Sequence, residues 1–364
     1  MATLNPHPFY DPARTYDDNF DHGPFGAFAN PEPFVNEGEP RHNFLGFPVY
    51  EPFGIPAGPL LNSKYVNAAL DKGFDVVVYK TQRSGVFRVN EFPNVLYVDV
   101  QGDLTLDKAA QPLVGLTEPP QALQDLTITN SFGMPSRGPQ TWIEDAKKSV
   151  AYAGKGQLMM MSVVGTIREG ASTEDYFNDF VTVAKQALET GAKVIEVNLS
   201  CPNVATEGVI CYSPAAVEEI IYRVKSAIGD TPLAVKLGYF SPEQDPVLRA
   251  VISNLAPYIQ AVSVINTIAA PIVDRQGQQA LPGKGRTTSG MCGASIKWAG
   301  LDLVDRLAKL RSRRGYDYEI IGVGGVMTPE DYQEYRMAGA DVVQSATGAM
   351  WDPELAIKIK SSNI

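Results

Sequence analysis

One cysteine of the chain lies in a segment whose residue types can carry out acid–base chemistry. The segment reads NLSCPN at residues 198–203 and follows the apolar run VIEV at 194–197. Asparagine amides donate and accept hydrogen bonds in fixed directions, and an accessible thiolate supported by positive charge accepts protons. The pattern predicts that Cys201 is a catalytic base between Asn198 and Asn203, with a structural thiol at a strand end as the alternative.

The positions of the histidines favour a cysteine base. His7, His22 and His42 all fall within the first 42 residues. If the chemistry lies in the main domain, it works without histidine, which disfavours a Ser-His-Asp triad or a histidine-rich zinc site. A proton-moving residue is then Cys, Lys, Asp, Glu or Tyr.

The three cysteines do not have the spacing of metal ligands. Cys201, Cys211 and Cys292 cannot all pair in disulfides, so we predict no metal site and a reduced, cytoplasmic protein. We interpret Cys292 as a packing residue in a loop. Cys211 is interpreted as a packing residue or part of a mobile lid.

The composition disfavours several classes of partner. The 364 residues are 44% hydrophobic and 20% charged, with a formal net charge of −10, which is typical of a soluble globular protein. Nucleic acid is disfavoured because phosphate binding needs clustered Lys and Arg. The N-terminus lacks the layout of a signal peptide, and no apolar stretch approaches the roughly 20 residues of a transmembrane segment.

Short β-rich runs alternate with stretches of helical periodicity. The runs lie at 54–58, 75–80, 158–165, 194–200, 233–237, 261–266, 319–325 and 341–346. Their nearly continuous apolar character is typical of parallel strands covered on both faces. Eight strands alternating with helices predict an α/β fold of the (β/α)8 TIM-barrel type. An open doubly wound sheet is the alternative, but no glycine-rich dinucleotide fingerprint follows the first strand.

Three of the intervening helices have recognisable ends. An apolar stripe predicts a helix over 179–190 that stops at Gly191. Ser213-Pro214 opens a second helix that closes at Gly229, and Thr328-Pro329 opens a third that ends near Gly339. Proline at the first helical position and glycine after the last are the expected terminal residues.

Two regions fall outside this alternation. Residues 1–43 have no periodicity and predict an irregular N-terminal arm, which leaves 44–364 as one barrel domain. The stretch 81–140 is too long for a single connection and contains turn-rich pieces such as VNEFPN. Long excursions after barrel strands usually lie over the active site. We therefore predict a small cap insertion around 81–140 over the C-terminal face of the strands.

Polar residues at the predicted strand ends should converge on the mouth of the barrel. Gly324-Gly325 and Ala346-Thr347 close the last two strands, the usual phosphate position in this fold. Lys236 would place positive charge beside a cofactor that gains electrons. Asparagines could frame a ring with carbonyl and N–H edges: Asn130, Asn198, Asn203 and Asn266. Taken singly, each has an ordinary alternative as a turn former or a solvated lysine.

At these residues the chain resembles the dihydroorotate dehydrogenase family, in its soluble, class 1-like branch that uses FMN and a cysteine base. NLSCPN (198–203) is similar to that family's base-bearing loop, and NSFGMP (130–135) to its substrate loop. Further motifs follow in the family's order: YKTQRS (79–84), VKL (235–237), VIN (264–266), IIGVGGV (320–326) and VVQSATGA (342–349). The likeness extends over residues 44–360. It implies FMN across the barrel mouth and oxidation of (S)-dihydroorotate to orotate in pyrimidine biosynthesis.

The resemblance implies a role for each matching residue. Cys201 would remove a proton from a ring carbon while hydride passes from the adjacent carbon to the flavin. The substrate-binding residues would be Lys80, Asn130, Phe132, Gly133, Met134, Asn198, Asn203, Asn266 and Thr267. The cofactor-binding residues would be Ala57, Gly58, Lys80, Thr81, Ser162, Asn198, Lys236, Ile265, Gly290, Gly324, Gly325, Ala346 and Thr347.

The resemblance implies a homodimer and leaves the electron acceptor open among fumarate, a quinone, and NAD through an iron–sulfur partner subunit.

Ser136 stands where the substrate loop usually carries another Asn, and TTSGMCG at 287–293 replaces a more glycine-rich stretch. Three alternatives to dihydroorotate oxidation therefore stay open. They are a dehydrogenase of another dihydropyrimidine, a flavin-free barrel acting on a phosphorylated substrate through Lys80 or Lys236, and a non-catalytic flavin-binding subunit.

Overall fold

The computed structural model describes residue 5 and residues 7–30, 32–200 and 210–362, without the side chain of Cys211. Two predicted site residues, Cys201 and Asn203, lie outside the described residues. The other predicted substrate and cofactor residues lie within them.

The core of the fold is a closed barrel of eight parallel strands. Each strand pairs with the next along the chain, and the last pairs with the first. The strands are Phe53–Ile55, Val76–Gln82, Leu158–Val163, Ile195–Asn198, Leu233–Lys236, Ala261–Val264, Glu319–Val323 and Val342–Gln344. Each predicted run overlaps one of them, so the (β/α)8 prediction is confirmed and the open-sheet alternative is wrong.

Helices connect the strands and cover the outside of the barrel. The α-helices are Tyr16–His22, Ser63–Asp71, Leu106–Ala109, Pro139–Tyr152, Thr173–Leu188, Pro214–Ile228, Asp245–Leu255, Lys297–Arg314, Pro329–Ala338, Thr347–Trp351 and Leu355–Ser361. Short 3-10 turns lie at Gly26–Phe28, Leu123–Asp125, Ile210–Tyr212, Pro242–Gln244 and Ala294–Ile296. In the described part of the chain, none of these helices has the length and apolar character needed to cross a membrane.

The predicted helix ends are confirmed at two of the three helices and corrected at the other. Pro214–Ile228 ends at Gly229, and Pro329–Ala338 begins at the capping box of Thr328 and ends at Gly339. The helix predicted to begin at 179 begins at Thr173. A capping box at Ser172 starts it earlier than the apolar stripe because a polar first turn carries no hydrophobic period.

Side-chain alternation divides the barrel interior into an apolar base and a polar upper layer. The base contains Val78, Met160, Val194, Ala234, Ala261 and Val342, all fully or almost fully buried. Two positions further along each strand, on the same face, come the buried polar residues Lys80, Ser162, Glu196, Lys236, Ser263 and Gln344. The polar layer therefore lies just beneath the C-terminal ends of the strands.

The N-terminal arm is not wholly irregular as predicted. It contains the helix Tyr16–His22, which Thr15 caps. The fully buried Asn19 makes side-chain hydrogen bonds to the backbone of three neighbouring residues, and its carbonyl accepts one from the Tyr65 hydroxyl at 2.8 Å. Seven residues are too few for a helical period to be read, and tertiary contacts stabilise so short a helix.

Mostly antiparallel strands build the cap, and they form a second, five-stranded closed barrel with one parallel pairing. Three of its strands, Tyr97–Val98, Leu113–Leu116 and Thr127–Asn130, come from the predicted insertion. The other two, Ile268–Val273 and Thr288–Gly293, come from an excursion after the sixth barrel strand that the sequence analysis did not predict. Two small two-stranded sheets complete the fold: the hairpin of His42–Phe44 with Phe47–Val49, and the antiparallel pair of Val86–Phe87 with Ser136–Arg137.

Candidate active site

A cavity lies between the C-terminal ends of the barrel strands and the cap. Its apolar walls include Pro56, Pro59, Leu61, Val95, Phe132 and Met350, and its polar residues include Lys80, Asn130, Lys236, Asn266, Thr267 and Thr347. Mostly apolar walls with a few convergent polar groups are typical of a small-molecule site.

A second, smaller cavity continues from the first toward the last two strands. Asn266, Cys292, Val323, Ala346 and Thr347 border both. The smaller cavity is also lined by Gly324, Gly325 and Gly348. The two cavities therefore form one elongated site with a wide end under the cap and a narrow end against glycine backbone.

The narrow end requires glycine. Gly325 has φ +67°, and a Cβ there would lie 2.7 Å from the backbone nitrogen of Lys297. A Cβ on Gly348 would lie 2.3 Å from the carbonyl oxygen of Val326. A larger residue at either glycine would therefore push away the backbone segment that it contacts. The wall at this end is mainly backbone, the arrangement that backbone N–H groups use to bind an anion.

Lys236 lies at the floor of the wide end. Lys236 is 4% exposed, and it lines the cavity. Burial lowers the pKa of its ammonium group, while the charge of Glu196 and the thiol of Cys292 act in the opposite direction. Its Nζ has no hydrogen bond or ion pair among the described residues. The ammonium is therefore available to an acceptor in the cavity.

A second group of polar residues faces the cavity from the cap side. Lys80 belongs to the same polar layer of the barrel as Lys236, and its Nζ is 5.7 Å from the centre of the Phe132 ring. Asn130 and Asn266 line the cavity from opposite sheets, and the buried Thr267 hydroxyl has no hydrogen-bond partner within the described ranges. The group can donate and accept hydrogen bonds around a small polar ring.

Two arginines hold the loop that carries Asn130 and Phe132. Arg286 donates to the Ser131 carbonyl oxygen at 3.1 Å and to its hydroxyl at 2.7 Å. The Nε of Arg83 donates to the Met134 carbonyl oxygen at 3.0 Å. These contacts fix a segment that includes positive φ values at residues 133 and 134.

The structure brings together many of the predicted site residues. Those that line the two cavities are Ala57, Gly58, Lys80, Asn130, Phe132, Lys236, Asn266, Thr267, Gly324, Gly325, Ala346 and Thr347. The other described ones do not line either cavity: Thr81, Gly133, Met134, Ser162, Asn198, Ile265 and Gly290. Among these, the Thr81 and Ser162 hydroxyls are 3.0 Å apart, and Asn198 Nδ2 is 3.5 Å from Met134 Sδ. Their individual roles stay predictions.

Among the cavity residues that the sequence analysis did not assign to the site are Tyr10 and Cys292. Tyr10, in the N-terminal arm, lines the cavity and meets Phe132 edge to face at 5.5 Å. Cys292, interpreted as a packing residue, also lines it, and burial raises the pKa of its thiol to about 11 against the influence of Thr347 and Lys236. The aromatic content of the arm was the only signal for Tyr10. Nothing local distinguished Cys292, because its strand belongs to the unpredicted part of the cap.

The barrel and its site together define a class. The cavity lies at the C-terminal ends of the strands, where TIM-barrel enzymes carry their chemistry. It has a glycine-walled end beside the last two strands and a buried lysine at the other. This arrangement is typical of barrel enzymes that bind a phosphorylated ligand.

Comparison with known proteins identifies the family. A family model described as dihydroorotate dehydrogenase matches residues 105–362. A dihydroorotate dehydrogenase of Dictyostelium discoideum is 35% identical over 98% of this chain and 97% of its own length. The chain therefore belongs to the dihydroorotate dehydrogenase family and is an oxidoreductase.

Relatives of two named types also match. A dihydroorotate dehydrogenase A (fumarate) of Lactobacillus delbrueckii is 26% identical over 77% of this chain and 86% of its own. The catalytic subunit of a dihydroorotate dehydrogenase B (NAD(+)) of Petrotoga mobilis is 27% identical over 64% of this chain and 70% of its own.

Proposed function

We propose that the chain oxidises dihydroorotate to orotate with FMN, and that Cys201 is the catalytic base. The observation that carries the proposal is the buried Lys236 ammonium at one end of a cavity whose other end is glycine backbone. The backbone anion site suits the phosphate of a cofactor, and the cation suits the electron-accepting ring at the cofactor's other end. Family membership supports the same activity.

The residues present fit FMN. Gly324, Gly325, Ala346 and Thr347 would hold its phosphate, and Lys236 would lie against the ring edge that gains negative charge. The other predicted contacts are Ala57, Gly58, Lys80, Thr81, Ser162, Asn198, Ile265 and Gly290. When bound, FMN supplies the acceptance of a hydride, and the protein supplies binding, orientation and electrostatics.

The cap side of the cavity fits a dihydropyrimidine. Such a ring carries carbonyl oxygens and N–H groups, and dihydroorotate adds a carboxylate. Lys80 would bind an anionic or carbonyl oxygen, and Asn130, Asn266 and Thr267 would pair with the ring edges. Asn198 and Asn203 are proposed to complete this set. The aromatic rings of Tyr10 and Phe132 line the same space.

Cys201 is proposed to accept a proton from one ring carbon while hydride leaves the adjacent carbon. The thiolate would be supported by Lys80, the cation nearest the cap side of the cavity. The three histidines of the chain all lie in its first 42 residues, in keeping with a cysteine as base.

Two electron acceptors suit the proposal. Fumarate would enter the same cavity, and NAD would act through an iron–sulfur partner subunit. Relatives named for each type match this chain. A homodimer, which the family resemblance implies, and a cytoplasmic location, which the number and spacing of the cysteines favour, belong to the same proposal.

Anaerobic mixing of the purified yellow protein with dihydroorotate tests the function. We expect the flavin absorbance to bleach and to return on adding fumarate, or on adding NAD with an iron–sulfur partner subunit. A colourless protein that takes up no FMN would refute the proposal. FMN binding with no reduction by any dihydropyrimidine would identify a binding subunit instead, and reduction by dihydrouracil-type rings but not by dihydroorotate would change the substrate.

Trapping with borohydride distinguishes the flavin-free alternative from the proposed flavin-dependent function. A lysine Schiff base to a phosphorylated aldehyde or ketone would become a stable adduct on Lys80 or Lys236. We expect none, because the asparagine-rich wall has no part in that chemistry.

A further inference from the structure

Glu196 is a buried acidic residue that the proposed function does not use. It lies in the barrel strand Ile195–Asn198 and is 0% exposed. Neither of its carboxylate oxygens has a hydrogen-bond partner in the part of the chain that the structure describes. Burying a carboxylate without partners is costly in free energy. Its place in the fold therefore calls for a compensating charge.

Lys236 supplies that charge across the strand pair. Asn198 is in register with Lys236, and Glu196 with Ala234, so the acid and the lysine are diagonal neighbours on adjacent parallel strands. Both residues lie two positions beyond members of the apolar base and point into the barrel. Glu196 thus lies one step below the lysine, on the side away from the cavity.

We propose that Glu196 is a positioning residue whose carboxylate keeps the Lys236 ammonium charged at the cavity floor. On the proposed function, this fixed cation faces the ring edge of FMN that gains negative charge. The two buried groups compensate each other's desolvation. The lysine can then face the cavity without a hydrogen bond to its own protein.

The surrounding layer contains few other charged groups that could replace Glu196. The inward residues of the two flanking strands are Ser162 and Ser263, and Gln344 lies further round the barrel; all three are uncharged. Lys80 of the second strand is a further cation, and Cys292 of the cap is a thiol whose pKa burial raises to about 11. Among the described residues of this layer, Glu196 is the acid next to Lys236.

The pH dependence of unfolding tests the pair without any cofactor. Lys236→Met leaves the carboxylate buried without a counter-charge, so the folded protein binds a proton that the unfolded chain releases. Stability then falls as pH rises between 5 and 8, by up to about tenfold in the folding equilibrium constant per pH unit. Glu196→Gln has the opposite sign. The folded protein sheds the lysine proton that the unfolded chain retains, so stability rises with pH between 7 and 10.

The double variant Glu196→Gln, Lys236→Met and the control Ser263→Ala sharpen the test. The double variant should lose both slopes, and Ser263→Ala should keep the wild-type profile, because it changes the same layer without changing charge. If both single variants keep the wild-type slope, the inference is wrong. If Glu196→Gln is too unstable to purify, the double variant must restore folding, since coupled sites are not additive. Failure to restore it would also refute the pair.

A measurement on the FMN-loaded protein tests the part that depends on the proposed function. In Glu196→Gln, reduction should take up one proton more than in wild type, because the lysine regains its proton when the ring becomes anionic. The pH slope of the reduction potential reports this number. An unchanged slope beside the expected unfolding profiles would leave the pair intact and remove its role toward the flavin. A wild-type protein that does not bind FMN would refute the proposed function but not the pairing of Glu196 with Lys236.

Discussion

The barrel contains two buried pairs of an acid and a lysine, and they differ in how they are satisfied. At the base, Lys360 Nζ lies 2.7 Å from Asp75 Oδ2 and donates to Asn36 Oδ1 at 2.7 Å. The same carboxylate oxygen accepts from the Glu51 N–H at 2.8 Å. At the mouth, Glu196 and Lys236 make no such contacts within the described ranges.

The difference indicates which end binds a ligand. At the base, neighbouring protein groups saturate the lysine, and the rings of Phe34 and Tyr50 lie within 5.3 and 5.9 Å of it. At the mouth, an ammonium is left facing a cavity. A buried cation without a hydrogen bond to its own protein, beside a cavity, is a candidate for chemistry. We infer that the base pair is structural and that the mouth pair serves the proposed function.

Cys201→Ala should produce the largest effect at the mouth. Loss of a positioned base slows proton transfer by about 10²- to 10⁴-fold, while FMN binding and stability stay near wild type. Stopped-flow bleaching of the flavin by dihydroorotate measures the change. Cys211→Ala serves as the matched control and should react at the wild-type rate. A Cys201→Ala protein that bleaches as fast as wild type would show that another residue takes the proton.

Lys360→Met should produce the largest effect at the base. Removing one partner of a buried ion pair costs about 3–5 kcal/mol of stability, and Asp75 would be the group left unpaired. Urea unfolding measures the loss. Lys358→Met is the control, because its pair with Asp352 is partly exposed and such pairs contribute about 0–1 kcal/mol. Equal effects of the two substitutions would contradict a structural role for the base pair.

The pH profile of the base pair gives a smaller effect of defined sign. Burial raises the pKa of Asp75 from 3.8 to about 6, although Lys360 opposes the rise. The folded protein therefore binds a proton more tightly than the unfolded chain. Stability from this group is present below pH 4 and is lost as pH rises to about 6. We expect Asp75→Asn to flatten this part of the unfolding profile, and an unchanged slope would show that Asp75 does not titrate there.

Tyr10→Ala should produce the smallest effect, on binding at the mouth. It removes a ring from the cavity wall and its edge contact with Phe132. An aromatic pair contributes about 0.5–1.5 kcal/mol, so the Kd for FMN or the KM for dihydroorotate should rise by about 2- to 10-fold. Tyr10→Phe keeps the ring and should bind like wild type. If Tyr10→Ala also binds like wild type, the arm is not part of the working site.

Local sequence patterns predicted the barrel because its strands are apolar on both faces and its helices have recognisable ends. The eight runs could be located one by one, and Pro214 with Gly229 marked a helix correctly. The cap was half predicted. Its strands at 268–273 and 288–293 pair with each other and with residues more than a hundred positions away. The hydrophobic periodicity within one segment does not predict a pairing with a segment so distant in sequence.

The sequence by itself determined the strand ends, and therefore which residues could reach the mouth: Lys80, Asn130, Lys236, Asn266 and the glycine turns. It also determined that Cys201 stands among asparagines, with the histidines confined to the first 42 residues. Only the tertiary structure decided that Tyr10 walls the site, that Cys292 borders it, and that Glu196 lies beneath Lys236. Strand order and side-chain direction are properties of the closed barrel, because they arise from pairing between segments distant in sequence. A residue's chemistry is local, but its neighbours are set by the fold.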